Sequence, residues 1–191
     1  MITPIEKMYA ENKDLLDFLT ASNEITHRRV ADDSFRKGLA LSSASLFETL
    51  LTDALVQYAN YHSSQNQCLM SMLKVRVFTK QFHTFFEWKD KNAGSFFKLL
   101  GEELGETLKR ECKNEPLKTA LSSFLELGQL RNELVHQNFV TYPLEKTAQE
   151  VFELYSSALV FVVRVQKLLR VPPEGLTVSK SAPGVNPSNT R

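Results

Sequence analysis

The chain has 191 residues, 42% of them hydrophobic and 24% charged, with 23 Lys and Arg against 22 Asp and Glu. That length fits one domain able to bury its own core. A net charge of +1 gives no global field for nucleic acid or membrane, so any such site is a local patch. Two cysteines, Cys68 and Cys112, exclude a disulfide scaffold and an all-cysteine zinc site within the chain.

Glycine and proline number seven each, and four of the prolines (Pro172, Pro173, Pro183, Pro187) fall in the last twenty residues. Between Glu6 and Arg170 only Pro116 and Pro143 occur. A body so poor in chain breakers predicts an all-α fold of five or six helices over residues 1–170. Residues 171–191, rich in Pro, Gly, Ser and Asn, read as a disordered tail. The start, MITPIEKMYAENKD, carries charges where a signal peptide needs an apolar run. The longest uninterrupted apolar stretch, ALVFVV at 158–163, is short of a membrane span. The expectation is a soluble, cytoplasmic protein with no membrane partner.

In chain order, helical spacing of Ile5, Met8, Leu15, Leu16, Phe18 and Leu19 predicts a first helix over 4–30. A polar break at Asp32, Asp33 and Ser34 precedes a second, to about Tyr61, with Phe47, Leu51 and Leu55 on its apolar arc. A third, about 69–91, carries Val75, Phe78, Phe82, Phe85 and Phe86 on one stripe, with Arg76, Lys80 and His83 opposite. A fourth runs from Ser95 to about Cys112, weakened by Gly101 and Gly105. Pro116 opens a fifth through Gln137, and Pro143 a sixth to about Arg170. The predicted core draws on Phe47, Leu51, Leu55, Phe78, Phe82 and Phe85, joined by Leu127, Leu134, Phe152 and Phe161.

Phosphate loops, dinucleotide fingerprints, HExxH and CxxC motifs are absent. The four histidines, His27, His62, His83 and His136, lack ligand spacing, so no metal site and no cofactor are expected. The informative stretch is LGQLRNELVHQNF at 127–139. At 100° per residue, Gln129, Asn132 and His136 share a polar face, whereas Arg131 falls inside the apolar arc. A guanidinium there demands a carboxylate or an anionic ligand. On the second helix Glu48 sits at the edge of the apolar arc, so an Arg131–Glu48 pair is predicted. Such a pair also reads as a packing contact between helices.

An all-helical chain with Arg-Asn-x-x-x-His resembles the HEPN superfamily, marked by an R-x(4–6)-H motif with a polar residue after the arginine. Arg131, Asn132 and His136 match that motif. LALSSASLFETLLTDAL at 39–55 and TKQFHTFFEWKDKNAGSFFKLLGEEL at 79–104 are similar to its RiboL-PSP branch, extending the resemblance over about 35–165. The resemblance implies a HEPN-like bundle forming a homodimer with two motifs facing each other. It implies a metal-independent endoribonuclease of a toxin–antitoxin or anti-phage system, with RNA as substrate and an antitoxin or defence protein as partner. Arg131 and His136 are then the catalytic pair, Asn132 supports them and Glu48 positions Arg131. About 140° separates Arg131 from His136 on the helix, so one protomer is expected to present them poorly and a twofold pair to present them better.

The alternative is a non-catalytic HEPN module binding RNA, nucleotide or a partner protein; a third reading is a purely structural helical dimer. The intact Arg-Asn-His set favours the enzyme. Residues 73–98 hold six Lys and Arg, two acidic residues and seven aromatics. Arg76, Lys80 and His83 there form a candidate RNA-binding face, or a solvated face over a phenylalanine core. His27 with Arg28 and Arg29 reads as exposed surface, and the cysteines as inert thiols.

Overall fold

The computed structural model describes residues 3–64, 66–74, 77 and 82–170. Seven α-helices lie among them: α1 (Pro4–Ala21), α2 (Ile25–His62), α3 (Gln67–Leu73), α4 (Gly94–Leu99), α5 (Gly101–Glu111), α6 (Leu117–His136) and α7 (Ala148–Leu168). No strand occurs among the described residues, only an isolated bridge between Glu87 and Asn92. The all-α expectation holds.

Three long helices make the frame. α6 packs on α7 and on α2, α2 packs on α7, and α1 lies along α2. Their shared interior is aromatic. Phe47 of α2 stacks on Tyr155 of α7 with centroids 5.4 Å apart, and Phe124 of α6 meets Phe161 of α7 at 5.1 Å. Leu51, Leu127, Val151 and Val165 are fully buried around them. Of the predicted core, Phe152 is partly buried and Phe78 lies outside the described residues; the others are buried.

Sequence and structure differ at five places. The first helix ends at Ala21, where Asn23 takes a positive φ of 60°, and not at residue 30. The polar run Asp32–Ser34 is no break but part of α2. There Asp33 pairs within the helix with Arg36 at 3.0 Å and Lys37 at 2.7 Å, so charges that resemble a loop support the turn. The third helix does not reach residue 91: α3 stops at Leu73, and Phe82–Thr84 form a 3-10 turn followed by a tight reversal through Lys91. Phe82, Phe85 and Phe86 are buried nonetheless. The fourth helix divides at Gly101, whose φ of +79° suits glycine alone. The last helix begins at Ala148, where Thr147 and Glu150 form a capping box, and not at Pro143. The expectation of a disordered tail lies outside the described residues.

An 18-residue window of α2 has a mean hydropathy of 1.4, enough by length and composition to cross a membrane. Leu39, Ala40, Phe47 and Leu51 of that helix are fully buried in the bundle, the pattern of a core helix.

The start of α2 also anchors the loop that follows α6. Arg36 donates to the carbonyls of Leu144 and Lys146 at 2.8 and 3.1 Å. Lys37, 2% exposed, donates to the Val140 carbonyl at 3.3 Å. At the opposite end of the bundle Arg164 grips Glu111 with two bonds of 2.6 and 2.7 Å. Hydrogen bonding from Arg164 holds the Glu111 carboxyl below its ordinary 4.5 against the smaller opposing effect of burial. A depressed folded-state value makes this contribution complete above the unfolded value and lost as pH falls through the folded one. Arg164→Gln should therefore lower Tm near neutrality and do so by less at about pH 3. An equal loss at both pH values, read by thermal denaturation, would show that the pair does not stabilise the fold through charge.

Candidate active site

The rotation of α6 decides which of its side chains reach solvent. Ala120, Phe124, Leu127 and Leu134 are buried on the core side. Arg131 is left at the edge of the α2 contact, its side chain 35% exposed and facing Glu48, 38% exposed, with Nη2 to Oε2 at 4.0 Å. The predicted pairing is present, at the margin of the core and not inside it. At that separation Glu48 acts on the guanidinium through charge and not through a hydrogen bond.

Arg131 Nη1 donates to the side-chain oxygen of Asn132 at 3.2 Å. The guanidinium is thereby drawn toward the helix's polar face. Arg131, Asn132 and His136 consequently line one cleft of about 390 Å³. The wheel angle measures where side chains leave the backbone. A long arginine crosses that arc, so one protomer presents both motif residues to the same space, contrary to the expectation from the wheel.

α2 gives the cleft a second wall through Ala44, Phe47 and Glu48, and Phe124 adds an aromatic surface from α6. The third wall comes from the segment between α3 and α4, with Phe82, His83 and Trp88. Trp88 is seated on α6 at Gly128: a Cβ built there would lie 1.9 Å from Trp88 Cζ3. The indole N–H donates to the His83 carbonyl at 3.0 Å. Backbone bonds between Glu87 and Asn92, at 2.9 and 3.1 Å, close the reversal that presents the ring. Neither Gly128 nor Trp88 was singled out from the sequence. The available signal was a glycine on a helix otherwise rich in good helix formers, with a lone tryptophan elsewhere in the chain.

A neighbouring cleft of about 360 Å³ continues along the polar face of α6, past Gln129, Glu133 and Gln137 to Lys89. Both clefts are lined by Trp88, Asn132 and His136, which places the motif where the two adjoin. Glu133 is occupied: it accepts from the Tyr142 hydroxyl and, at 2.9 Å, from Gln129 Nε2. Burial first, then the bond to Glu133, pushes the Tyr142 phenol up to about 12. Glu133 thus braces the loop after α6.

Residues 6–170 match the RiboL-PSP-HEPN family model. The chain belongs to the RiboL-PSP-HEPN family. The match takes in α1, which lay outside the resemblance drawn from motifs at about 35–165. No curated protein matches the chain, and no solved structure does.

Within this RiboL-PSP-HEPN domain the other sequence candidates are placed as follows. His83 faces the cleft, while Arg76 and Lys80 lie outside the described residues. His27 pairs with Glu24 at 2.9 Å on the surface, and Arg28 Nε donates to Thr20 Oγ1. Cys68 is exposed; Cys112 is buried, which together with the Glu111 charge pushes its thiol up to about 11. Among the described residues no three His, Cys, Asp or Glu side chains gather as a metal site.

Trp88 is the only tryptophan, so its emission reports on the cleft directly. Gly128→Ala should displace the ring, shift that emission to the red and cost about 1–3 kcal/mol in chemical denaturation, as overpacking does. Unchanged emission and stability would contradict the seating of Trp88 on α6.

Proposed function

We propose that this RiboL-PSP-HEPN protein is a metal-independent endoribonuclease acting as a toxin or anti-phage effector in the cytoplasm. The observation that supports this most is the convergence of Arg131, Asn132 and His136 on one cleft, with Glu48 opposite Arg131. A guanidinium presents a planar fork of donors suited to phosphate oxygens. With one donor on Asn132 and Glu48 at 4.0 Å, the fork keeps capacity for a phosphodiester. An imidazole is the side chain best suited to moving a proton near neutral pH.

In the proposed reaction His136 is a general base or acid: it takes the proton of a ribose 2′-OH or returns one to the departing 5′-oxygen. The 2′-oxygen attacks the adjacent phosphorus, and the bond to the 5′-oxygen of the next nucleotide breaks. Arg131 stabilises the added charge on the non-bridging oxygens. Asn132 holds the guanidinium toward the motif face, and Glu48 balances its charge before substrate arrives. The products are a 2′,3′-cyclic phosphate and a 5′-OH. No step requires a cofactor.

The aromatic surfaces of Phe47, Phe82, Trp88 and Phe124 beside these polar groups suit a nucleobase next to a phosphate. The HEPN family supports RNA as the ligand and a homodimer as the assembly. We propose a twofold pair with its two motifs in one groove, regulated by an antitoxin or another defence protein.

The test is RNA cleavage by wild type beside His136→Ala, each with excess EDTA. Wild type should cut equally well with the chelator. His136→Ala should be slower by about 10²–10⁴, the usual cost of losing a proton-transfer group, at unchanged Tm. Arg131→Lys should be nearly as impaired as Arg131→Ala, because lysine keeps charge and loses the fork. A wild-type protein that binds RNA and leaves it intact would replace this reading with the non-catalytic module.

A further inference from the structure

Cutting RNA through its own 2′-OH moves two protons. One leaves the attacking hydroxyl and one reaches the departing 5′-oxygen. His136 accounts for a single transfer; resting on the ribonuclease reading, the second proton moves through the partner's His136 or through another group of the same cleft. Glu133 lies in the motif but is held by Tyr142 and Gln129. Glu48 stands 4.0 Å from the Arg131 guanidinium and serves there as its counter-charge. Among the described residues, the remaining proton-transfer residue lining this cleft is His83, on the wall formed by the segment before α4.

We propose that His83 is a second catalytic residue, completing with His136 an acid–base pair within one protomer. Its position is built and not incidental. The preceding residue, Phe82, is buried among the rings of Phe85, Phe86 and Trp88, which anchors the 3-10 turn to the core. The following wall residue, Trp88, bonds the His83 carbonyl and rests on Gly128 of the motif helix itself. His83 is therefore tied, through two contacts, to the helix that carries His136. Its side chain stays exposed, so it is accessible to a substrate in the cleft. Phosphate held by Arg131 then shares one cleft with an imidazole from α6 and one from the segment before α4. One imidazole removes the 2′ proton while the other, protonated, delivers its proton to the 5′-oxygen as the phosphorus–oxygen bond breaks. Trp88 is a positioning residue, acting through the His83 carbonyl.

The test uses the full-length protein and two RNA substrates, one natural and one with sulfur in place of the bridging 5′-oxygen at the cut site. A thiolate leaves without a proton, since a thiol ionises near pKa 8.5, so the sulfur substrate bypasses the acid alone. His83→Ala and His136→Ala should each slow natural RNA by about 10²–10⁴ with unchanged Tm. On the sulfur substrate one of the two variants should recover to near wild type and the other should not. Trp88→Phe keeps an aromatic ring, smaller than the indole, and removes the donor. It should slow natural RNA, and on the sulfur substrate its deficit should follow that of His83→Ala. Wild-type rate in His83→Ala would overturn the inference and leave the ribonuclease reading standing, with the partner's histidine as the second group. Recovery of both variants, or of neither, would also overturn the pairing. A wild-type protein that cuts neither substrate would remove the ribonuclease reading itself.

Discussion

The rotational setting of α6 is the constraint on which the site depends. One side of this helix is committed to the core through Phe124, Leu127 and Leu134, and the hydrophobic cost of exposing those groups fixes it against α2 and α7. With that side fixed, Arg131 has to lie at the α2 seam and Asn132 and His136 at the open face. Gly128, without a Cβ, lets another segment approach the helix backbone closely, and Trp88 occupies that place. The loop after α6 is tied to Arg36 and Lys37 of α2, so the helix end that carries His136 is held as well. The cleft thus inherits its geometry from the packing of the bundle.

Electrostatics in the cleft follow from partial burial. A guanidinium enclosed without a partner is costly, and a fully satisfied one has nothing left to offer a ligand. Arg131 lies between these limits: a neutral amide at 3.2 Å, a carboxylate at 4.0 Å, and about a third of its side chain exposed. A phosphodiester would improve on both contacts, since charge-assisted bonds to a planar fork are short and paired.

Much of this was legible in the sequence, and the part that was not has a physical reason. The α6 pattern and the Arg131–Glu48 pairing could be read because both follow from 3.6-residue periodicity and the cost of a misplaced charge. The convergence of Arg131 with His136 was misjudged because a wheel locates Cβ atoms and ignores the reach of a long side chain. Residues 69–91 looked helical because five aromatic and β-branched positions fell on one stripe. Phe82, Phe85 and Phe86 are buried as predicted, but by a turn and a reversal, which bury rings as well as a helix does. That error hid the third wall, with His83 turned into the cleft and Trp88 packed on Gly128. Tertiary approach to a glycine leaves almost no trace in a single sequence. The Asp32–Ser34 break failed for the opposite reason, because its charges find partners one turn away within α2.

The central claim is that this cleft cuts RNA by activating the substrate's own hydroxyl. The most direct measurement is the chemical identity of the new ends, read on fragments of a defined RNA and on the same RNA with a single 2′-deoxy residue at the cut site. The account predicts a 2′,3′-cyclic phosphate facing a 5′-OH, and no cut beside the deoxy residue. Fragments ending in 3′-OH and 5′-phosphate, or cleavage that persists at the deoxy position, would contradict it.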